Sequence, residues 1–282
     1  MLRLLLFGII LILCYYSKSK AIDTSDSDFV VVETSVGSVM GKRRNNLNIF
    51  LGIPYAEPPI GHHRFRPPQT KNPWFPSTYR ALNYAPECLQ SALYRDDTIQ
   101  DVEMSEDCLY LNIWQPNSVK SAFGKENKKE LLPVMVWIYG GAFIHGSANR
   151  VEYEGSRLAE RGVVVVSLNY RLGALGFLVS TSDGLYGNYG LGDQKLALQW
   201  VQDQIARFGG DPGRVTVFGE SAGAMSIGLH FLDQHRRHEH AHGNTSSVGG
   251  DTGQGSKEGG GDSADMRLFQ SVILQSNPLG YK

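Results

Sequence analysis

The chain has 282 residues, 41% hydrophobic and 20% charged, with 32 Gly, 12 Pro and 3 Cys. That composition excludes a disulfide-knotted miniprotein, a collagen-like repeat and a wholly disordered chain, and it suits one large globular domain or two small ones. The formal charge is −1 and the 27 basic residues never gather into one dense patch, so a nucleic-acid partner is not expected.

Residues 1–21 read as a secretory signal peptide. Arg3 supplies a positive start, Leu4 to Tyr16 form a 13-residue apolar run, and Ser19-Lys20-Ala21 offers small residues for cleavage. The run is short of the roughly 20 residues that a spanning helix needs, so no stable membrane insertion is expected. Cleavage removes Cys14 and leaves Cys88 and Cys108. In an oxidising compartment such a pair is most simply a disulfide, with two buried thiols as the alternative. No His lies between them to suggest a metal site. A loop of this size is worth about 3 kcal/mol in the chain-entropy account.

From Asp28 onward the pattern alternates between strands and helices. Phe29 to Glu33 and Val39 to Arg43 flank Gly37 as a hairpin. A Pro-rich stretch, Ile53 to Pro59, then predicts irregular chain. Leu109 to Trp114 alternates like a half-buried strand. Val134 to Ile138 and Val163 to Ser167 are continuous apolar runs, as in strands covered on both faces. Leu198, Val201, Ile205 and Phe208 recur at helical spacing, and Gly209 to Gly213 end that helix. Val215 to Phe218 is a strand and Ala222 to Phe231 a helix.

Residues 233–265 break the order. Four histidines between His235 and His242 precede a Gly/Ser/Asp/Thr tract with eight glycines between 243 and 264, which predicts an unstructured insert. The histidines would hold a transition metal only weakly, and a solvated loop is the preferred reading, so no metal site is assigned. Asn244-Thr-Ser246 is the chain's single N-glycosylation sequon. Ser271 to Leu274 resumes as a strand. Strands separated by helices predict an α/β fold with a mostly parallel central sheet.

The segment that carries chemistry is Gly219-Glu-Ser-Ala-Gly223. Alone, G-x-S-x-G is a modest signal. Between a strand and a small-residue helix it predicts a nucleophile elbow, which pushes the Ser221 hydroxyl out at the end of the sheet. The glycines are expected there because a Cβ would strike neighbouring backbone. Tyr139-Gly-Gly-Ala-Phe143 follows the buried strand ending at Ile138 and can turn two backbone N–H groups inward for a developing oxyanion.

Taken with five further segments, these residues resemble the type-B carboxylesterases, the α/β-hydrolases that include the carboxylesterases and cholinesterases. The segments are Phe50 to Gly61, Ser105 to Asn112, Trp137 to Phe143, Asn169 to Phe177, Gly187 to Gln194, Phe208 to Pro212 and Phe218 to Ala224. They run in family order over about three quarters of the chain. The resemblance implies an α/β-hydrolase fold, with residues 22–282 forming part of that domain. It implies Ser221 as nucleophile, oxyanion N–H groups from Gly141, Ala142 and Ala222, a first disulfide at Cys88–Cys108, and a structural ion pair between Arg64 and Glu106. It implies a small carboxylic ester as substrate and no cofactor.

Two departures shape the expectation. Ala142 stands where many members have a third glycine. The loop between Cys88 and Cys108 has no Trp to stack on a choline cation, and Tyr94 is its only aromatic residue before the closing motif. A general carboxylic ester is therefore expected over a choline ester. The family places its triad Glu and His later in the chain, whereas only 61 residues follow Ser221 here. Their acids, Asp233, Glu239, Asp251, Glu258, Asp262 and Asp265, sit in or beside the insert. The expectation is a chain that lacks the later strands and stops before its proton-transfer partners, and is inactive or nearly so as it stands. A non-catalytic adhesion protein on the same fold is the alternative; the intact Gly-Glu-Ser-Ala-Gly context favours the enzyme lineage.

Overall fold

A computed structural model describes residues 28–91, 103–117, 130–242 and 267–276. The expected signal peptide, Tyr94, the Asn244 sequon and the acids from Asp251 to Asp265 lie outside them. The described chain builds a nine-stranded sheet around β1 (Phe29–Thr34), β2 (Gly37–Arg44), β3 (Leu47–Pro54), β4 (Thr78–Arg80), β7 (Tyr110–Pro116), β8 (Leu132–Ile138), β9 (Val164–Leu168), β12 (Gly210–Glu220) and β13 (Ser271–Gln275). Two small ribbons complete the strands: β5 (Glu87–Cys88) with β6 (Met104–Ser105), and β10 (Val179–Ser180) with β11 (Leu185–Tyr186). The helices are α1 (Ser156–Ala159), α2 (Gly173–Phe177), α3 (Tyr189–Gln204) and α4 (Ala222–His242).

The main path runs β1-β2-β3-β7-β9-β8-β12-β13. The sheet is mixed, which corrects the mostly parallel expectation. β1 through β9 on this path pair antiparallel, and only β9, β8, β12 and β13 run parallel. The cause is local. β2 turns directly into β3 through Asn45 and Asn46, with Arg44 opposite Leu47 and Asn45 in the left-handed region at φ 51°. Such a two-residue hairpin can only produce antiparallel neighbours. β3 itself was not expected: Leu47 to Gly52 carried no element, and the stretch from Ile53 read as irregular. Its Pro54 is tolerated as the last residue of the strand.

β9 is buried at all five positions, and β8 is buried from Val136 to Ile138, which explains their unbroken apolar runs. α3 passes into a single 3-10 turn, Ile205–Phe208, and stops at Gly209 in the left-handed region at φ 75°. α4 continues to His242, so Asp233–His242 belongs to the helix and not to the insert. No Gly or Pro lies in that stretch. Asp233 pairs with both Lys195 (2.9 Å) and Arg237 (3.3 Å), and His235 lies 3.3 Å from Glu239 one turn on.

Two buried polar arrangements tie α3 to its neighbours, one to the segment after β9 and one to α4. Arg171 and Asp193 form a two-point ion pair, Nη2 to Oδ1 at 2.6 Å and Nε to Oδ2 at 2.8 Å, almost wholly removed from solvent. The Arg171 backbone N–H also donates to Oδ2, and Nη1 donates to the carbonyl of Arg66. Behind α4, the side chain of Gln194 donates from Nε2 to Ser226 Oγ (3.1 Å), and Ser226 donates to the carbonyl of Ala222 (2.9 Å). Gln194 Oε1 is thus left as an acceptor, which makes His230 Nε2 (2.9 Å away) the donor and fixes its tautomer. Burial, and then Lys195, push His230 down to about 4.

Replacing Asp193 with Ala leaves the Arg171 guanidinium buried without its carboxylate, and should cost about 3–5 kcal/mol in a urea titration. His230 gives a pH prediction. Its folded value lies below the ordinary 6.5, so the unfolded chain takes up a proton first as pH falls. The stability it contributes is complete above the ordinary histidine range and is lost progressively down to about pH 4, a difference of roughly 3 kcal/mol. Subtracting the pH–stability curve of His230→Gln from that of the wild type should isolate this limb. Parallel curves would show that His230 is not held neutral.

Candidate active site

The chain enters β8, moves to β9 on one side, and returns to place β12 on the other side of β8. In an open parallel sheet, such a reversal leaves a crevice at the carboxyl ends of the diverging strands. Gly219 lies opposite Ile138 in the β12–β8 register, so the segments leaving both strands emerge side by side. These are Gly219 to Gly223 and Tyr139 to Phe143, the two segments singled out for chemistry.

Ser221 sits between β12 and α4 at φ 53°. A left-handed backbone at a non-glycine residue costs about 1–3 kcal/mol and persists only where its surroundings impose it. Two neighbours do so. The Ser221 N–H donates to the carbonyl of Gln275 at the end of β13 (2.9 Å), and its own carbonyl accepts the N–H of Met225 in the first turn of α4 (2.9 Å). The flanking glycines are explained by one atom. A Cβ on Gly219 would lie 2.5 Å from the carbonyl oxygen of Ile138, and one on Gly223 would lie 2.1 Å from the same oxygen. Ala222 is the first residue of α4, where a backbone N–H has no intrahelical acceptor and the helix dipole favours negative charge.

The facing loop is pressed against the serine. A Cβ on Gly140 would come within 2.6 Å of the Glu220 carbonyl and 3.1 Å of Ser221 Cβ. Gly141, Ala142 and Phe143 then run at φ 107°, 53° and 63°. The turn closes as the Gly141 carbonyl accepts the N–H groups of Ile144 and His145 at 3.0 and 3.1 Å. Ala142 thus occupies a conformation that glycine adopts without steric cost. The loop is anchored at its start by a reciprocal tyrosine pair. Tyr170 Oη donates to the Tyr139 carbonyl (2.9 Å), Tyr139 Oη donates to the Tyr170 carbonyl (3.2 Å), and the rings stack 4.5 Å apart. Further along, the Phe143 carbonyl accepts the N–H of Gly173.

The other expected residues lie away from the elbow. Cys88 and Cys108 are joined as a disulfide. Arg64 meets Glu106 through two contacts, Nε to Oε2 at 2.6 Å and Nη2 to Oε1 at 2.7 Å, on the exposed surface. Arg64 holds the Glu106 carboxyl below its usual range. The histidines of the described residues have other surroundings. His230 is committed to Gln194, His62 and His63 pack on each other in a surface turn, and His235 and His238 lie on the later turns of α4. His145 closes the Gly141 turn, and burial, helped by Arg150, lowers its affinity for a proton. Sequence reasoning missed the tyrosine pair and the Gln194–Ser226–His230 chain, because nothing in their spacing marks them as partners. Among the described residues, no cluster of three or more His, Cys, Asp or Glu is placed to hold a metal ion, and no helix is long and apolar enough to cross a membrane.

Residues 28–250 match the Carboxylesterase family. The chain is 46% identical over 211 residues to a fumonisin B1 esterase of Sphingopyxis macrogoltabida, which covers 73% of this chain and 37% of that protein. It is 44% identical over 247 residues to an acetylcholinesterase of Electrophorus electricus, covering 83% and 37% respectively. Among solved structures it superimposes on a thermophilic PNB esterase with a TM-score of 0.68 at 37% identity, over 87% of this chain and 44% of that one. The chain therefore spans less than half the length of these relatives. An α/β-hydrolase sheet, a strained serine between β12 and α4, and a family match over most of the sequence lead to one assignment: the chain belongs to the carboxylesterase family of ester hydrolases.

Proposed function

We propose that this chain is the nucleophile-bearing part of a secreted serine hydrolase that cleaves small carboxylic esters through an acyl-enzyme at Ser221. The observation that carries the reading is the seat of the Gly140–Gly141–Ala142 loop against the strained Ser221, at the carboxyl ends of adjacent parallel strands. Ser221 Oγ would attack the ester carbonyl and pass its proton to a base. The resulting oxyanion would be met by the N–H groups of Gly141, Ala142 and Ala222, with the α4 dipole adding to them. Collapse expels the alcohol, and water then releases the acid. The base and the acid that orients it are assigned to no residue of this sequence, and without them a serine hydroxyl reacts slowly.

Incubation with a fluorophosphonate probe and with p-nitrophenyl acetate tests the assignment. Slow labelling that maps to Ser221 and vanishes in Ser221→Ala is expected, with turnover of the acetate near background. Fast labelling with sustained turnover would show that a base is already present. Labelling that survives in Ser221→Ala would remove Ser221 as the nucleophile.

The route out of the cell rests on residues 1–21 and on Asn244-Thr-Ser246. Expression in a secretory eukaryotic host should give a medium-borne protein whose N-terminus is Ile22. Its mass should drop on glycosidase treatment, and Asn244→Gln should abolish that drop. Retention of Met1, or a mass unaffected by the enzyme, would overturn the corresponding half of the reading.

A further inference from the structure

The far end of the Gly140–Gly141–Ala142 loop is held by a residue that no step of the proposed chemistry uses. Gly146 is buried, and its peptide groups are bonded by one side chain. Gln90 Nε2 donates to the Gly146 carbonyl (2.9 Å), and the Gly146 N–H donates to Gln90 Oε1 (2.8 Å). The primary amide thus imitates a strand partner, satisfying a donor and an acceptor that are costly to bury alone. Gln90 Nε2 also reaches the carbonyl of Cys88 at 3.2 Å, tying the clamp to the disulfide two residues away.

Gly146 is also in contact with the catalytic loop. At φ 120° it folds back so closely that a Cβ on it would lie 2.8 Å from the Gly140 carbonyl and 2.6 Å from the Tyr139 ring. Gly140 in turn abuts Ser221. The same strap continues beyond Gly146. Asn149 Nδ2 donates to the Ala85 carbonyl (2.9 Å), while Asn169 accepts the Ala148 N–H (2.8 Å) and reaches the Pro86 carbonyl (3.4 Å). A continuous line of contacts runs from the Cys88 corner through Gln90, Gly146 and Gly140 to the nucleophile.

We propose that Gln90 is a positioning residue, which clamps Gly146 so that the Gly141 and Ala142 N–H groups are held at the oxyanion site. This rests on the nucleophile-and-oxyanion reading above, and it adds to that reading Gln90, two residues from the disulfide, as the loop's outer brace. Removing the clamp frees both Gly146 peptide groups and lets the turn from Gly141 to His145 relax, while Ser221 and its glycines stay in place.

Amide hydrogen exchange, together with fluorophosphonate labelling of the full chain, decides the matter for wild type, Gln90→Ala and Gln90→Glu. In Gln90→Ala, exchange across 141–146 should rise about tenfold while amides of β7, β8 and β9 stay protected. Ser221 labelling should slow by about the same factor, as expected for misplaced oxyanion donors. Gln90→Glu separates clamping from packing. As a carboxylate it accepts the Gly146 N–H but turns its other oxygen on the Gly146 carbonyl; protonated, it restores both bonds. Normalised to wild type at each pH, Gln90→Glu should therefore be loose and slow at pH 8 and recover towards pH 5. Unchanged exchange at 141–146 in Gln90→Ala, a rise spread evenly over the sheet, or no pH recovery in Gln90→Glu would each overturn the proposal. So would loosened exchange with labelling at the wild-type rate. If wild-type Ser221 is not labelled at all, the functional reading fails, and the clamp is judged by the exchange measurements alone.

Discussion

The carbonyl oxygen of Ile138 is the point around which the site is built. It ends β8, and the Cα atoms of Gly219 and Gly223 both press on it from the neighbouring elbow. A single methyl at either glycine would overlap this oxygen, since 2.1 and 2.5 Å are far inside van der Waals contact. Close packing of two backbones is what permits a serine to stand at φ 53° between a strand and a helix. The elbow is less a property of its five residues than of their fit against one carbonyl.

Around that contact, buried polar groups do the work that apolar packing cannot. Hydrophobic burial is non-directional, whereas a hydrogen bond fixes an angle. The Tyr139–Tyr170 pair sets where the Gly140–Gly141–Ala142 loop leaves β8, and the Gln194–Ser226–His230 chain bonds to the Ala222 carbonyl at the start of α4. Arg171 and Asp193 join the segment after β9 to α3. Each is costly to break from one side, because the remaining partner is then buried without compensation. The geometry at the serine is thus supported by residues that lie away from it.

Much of this was legible in the sequence, and for identifiable reasons. β8 and β9 are unbroken apolar runs because both faces are covered, and the helix ending near Phe208 is bounded by a glycine in the left-handed region. Gly219 and Gly223 are legible because the close approach of the Ile138 carbonyl excludes any side chain there, and Ser221 is legible from its place between them. The end of β3 was missed because Ile53 to Pro59 reads as irregular, although Pro54 only ends the strand. The extent of α4 was missed because a run of histidines and arginines looks like a solvated loop, whereas i,i+4 pairing and the contact of Asp233 with Lys195 carry the helix on. The mixed character of the sheet was hidden because strand direction depends on the connections. Gln90 and His230 were silent for a different reason, since their partners are 56 and 36 residues away.

The bond from the Ser221 N–H to the Gln275 carbonyl has a consequence for the order of assembly. The elbow's strained conformation depends on β8, which precedes it, and on β13, which follows. During synthesis the serine and its helix emerge before the strand that receives the serine's N–H exists. Long-range contacts of this kind must first meet the entropy of closing the intervening chain. Ser221 therefore reaches its final backbone geometry only once β13 has joined the sheet, and a nascent chain ending anywhere between Ala222 and Gln275 carries the serine without the partner that fixes its backbone.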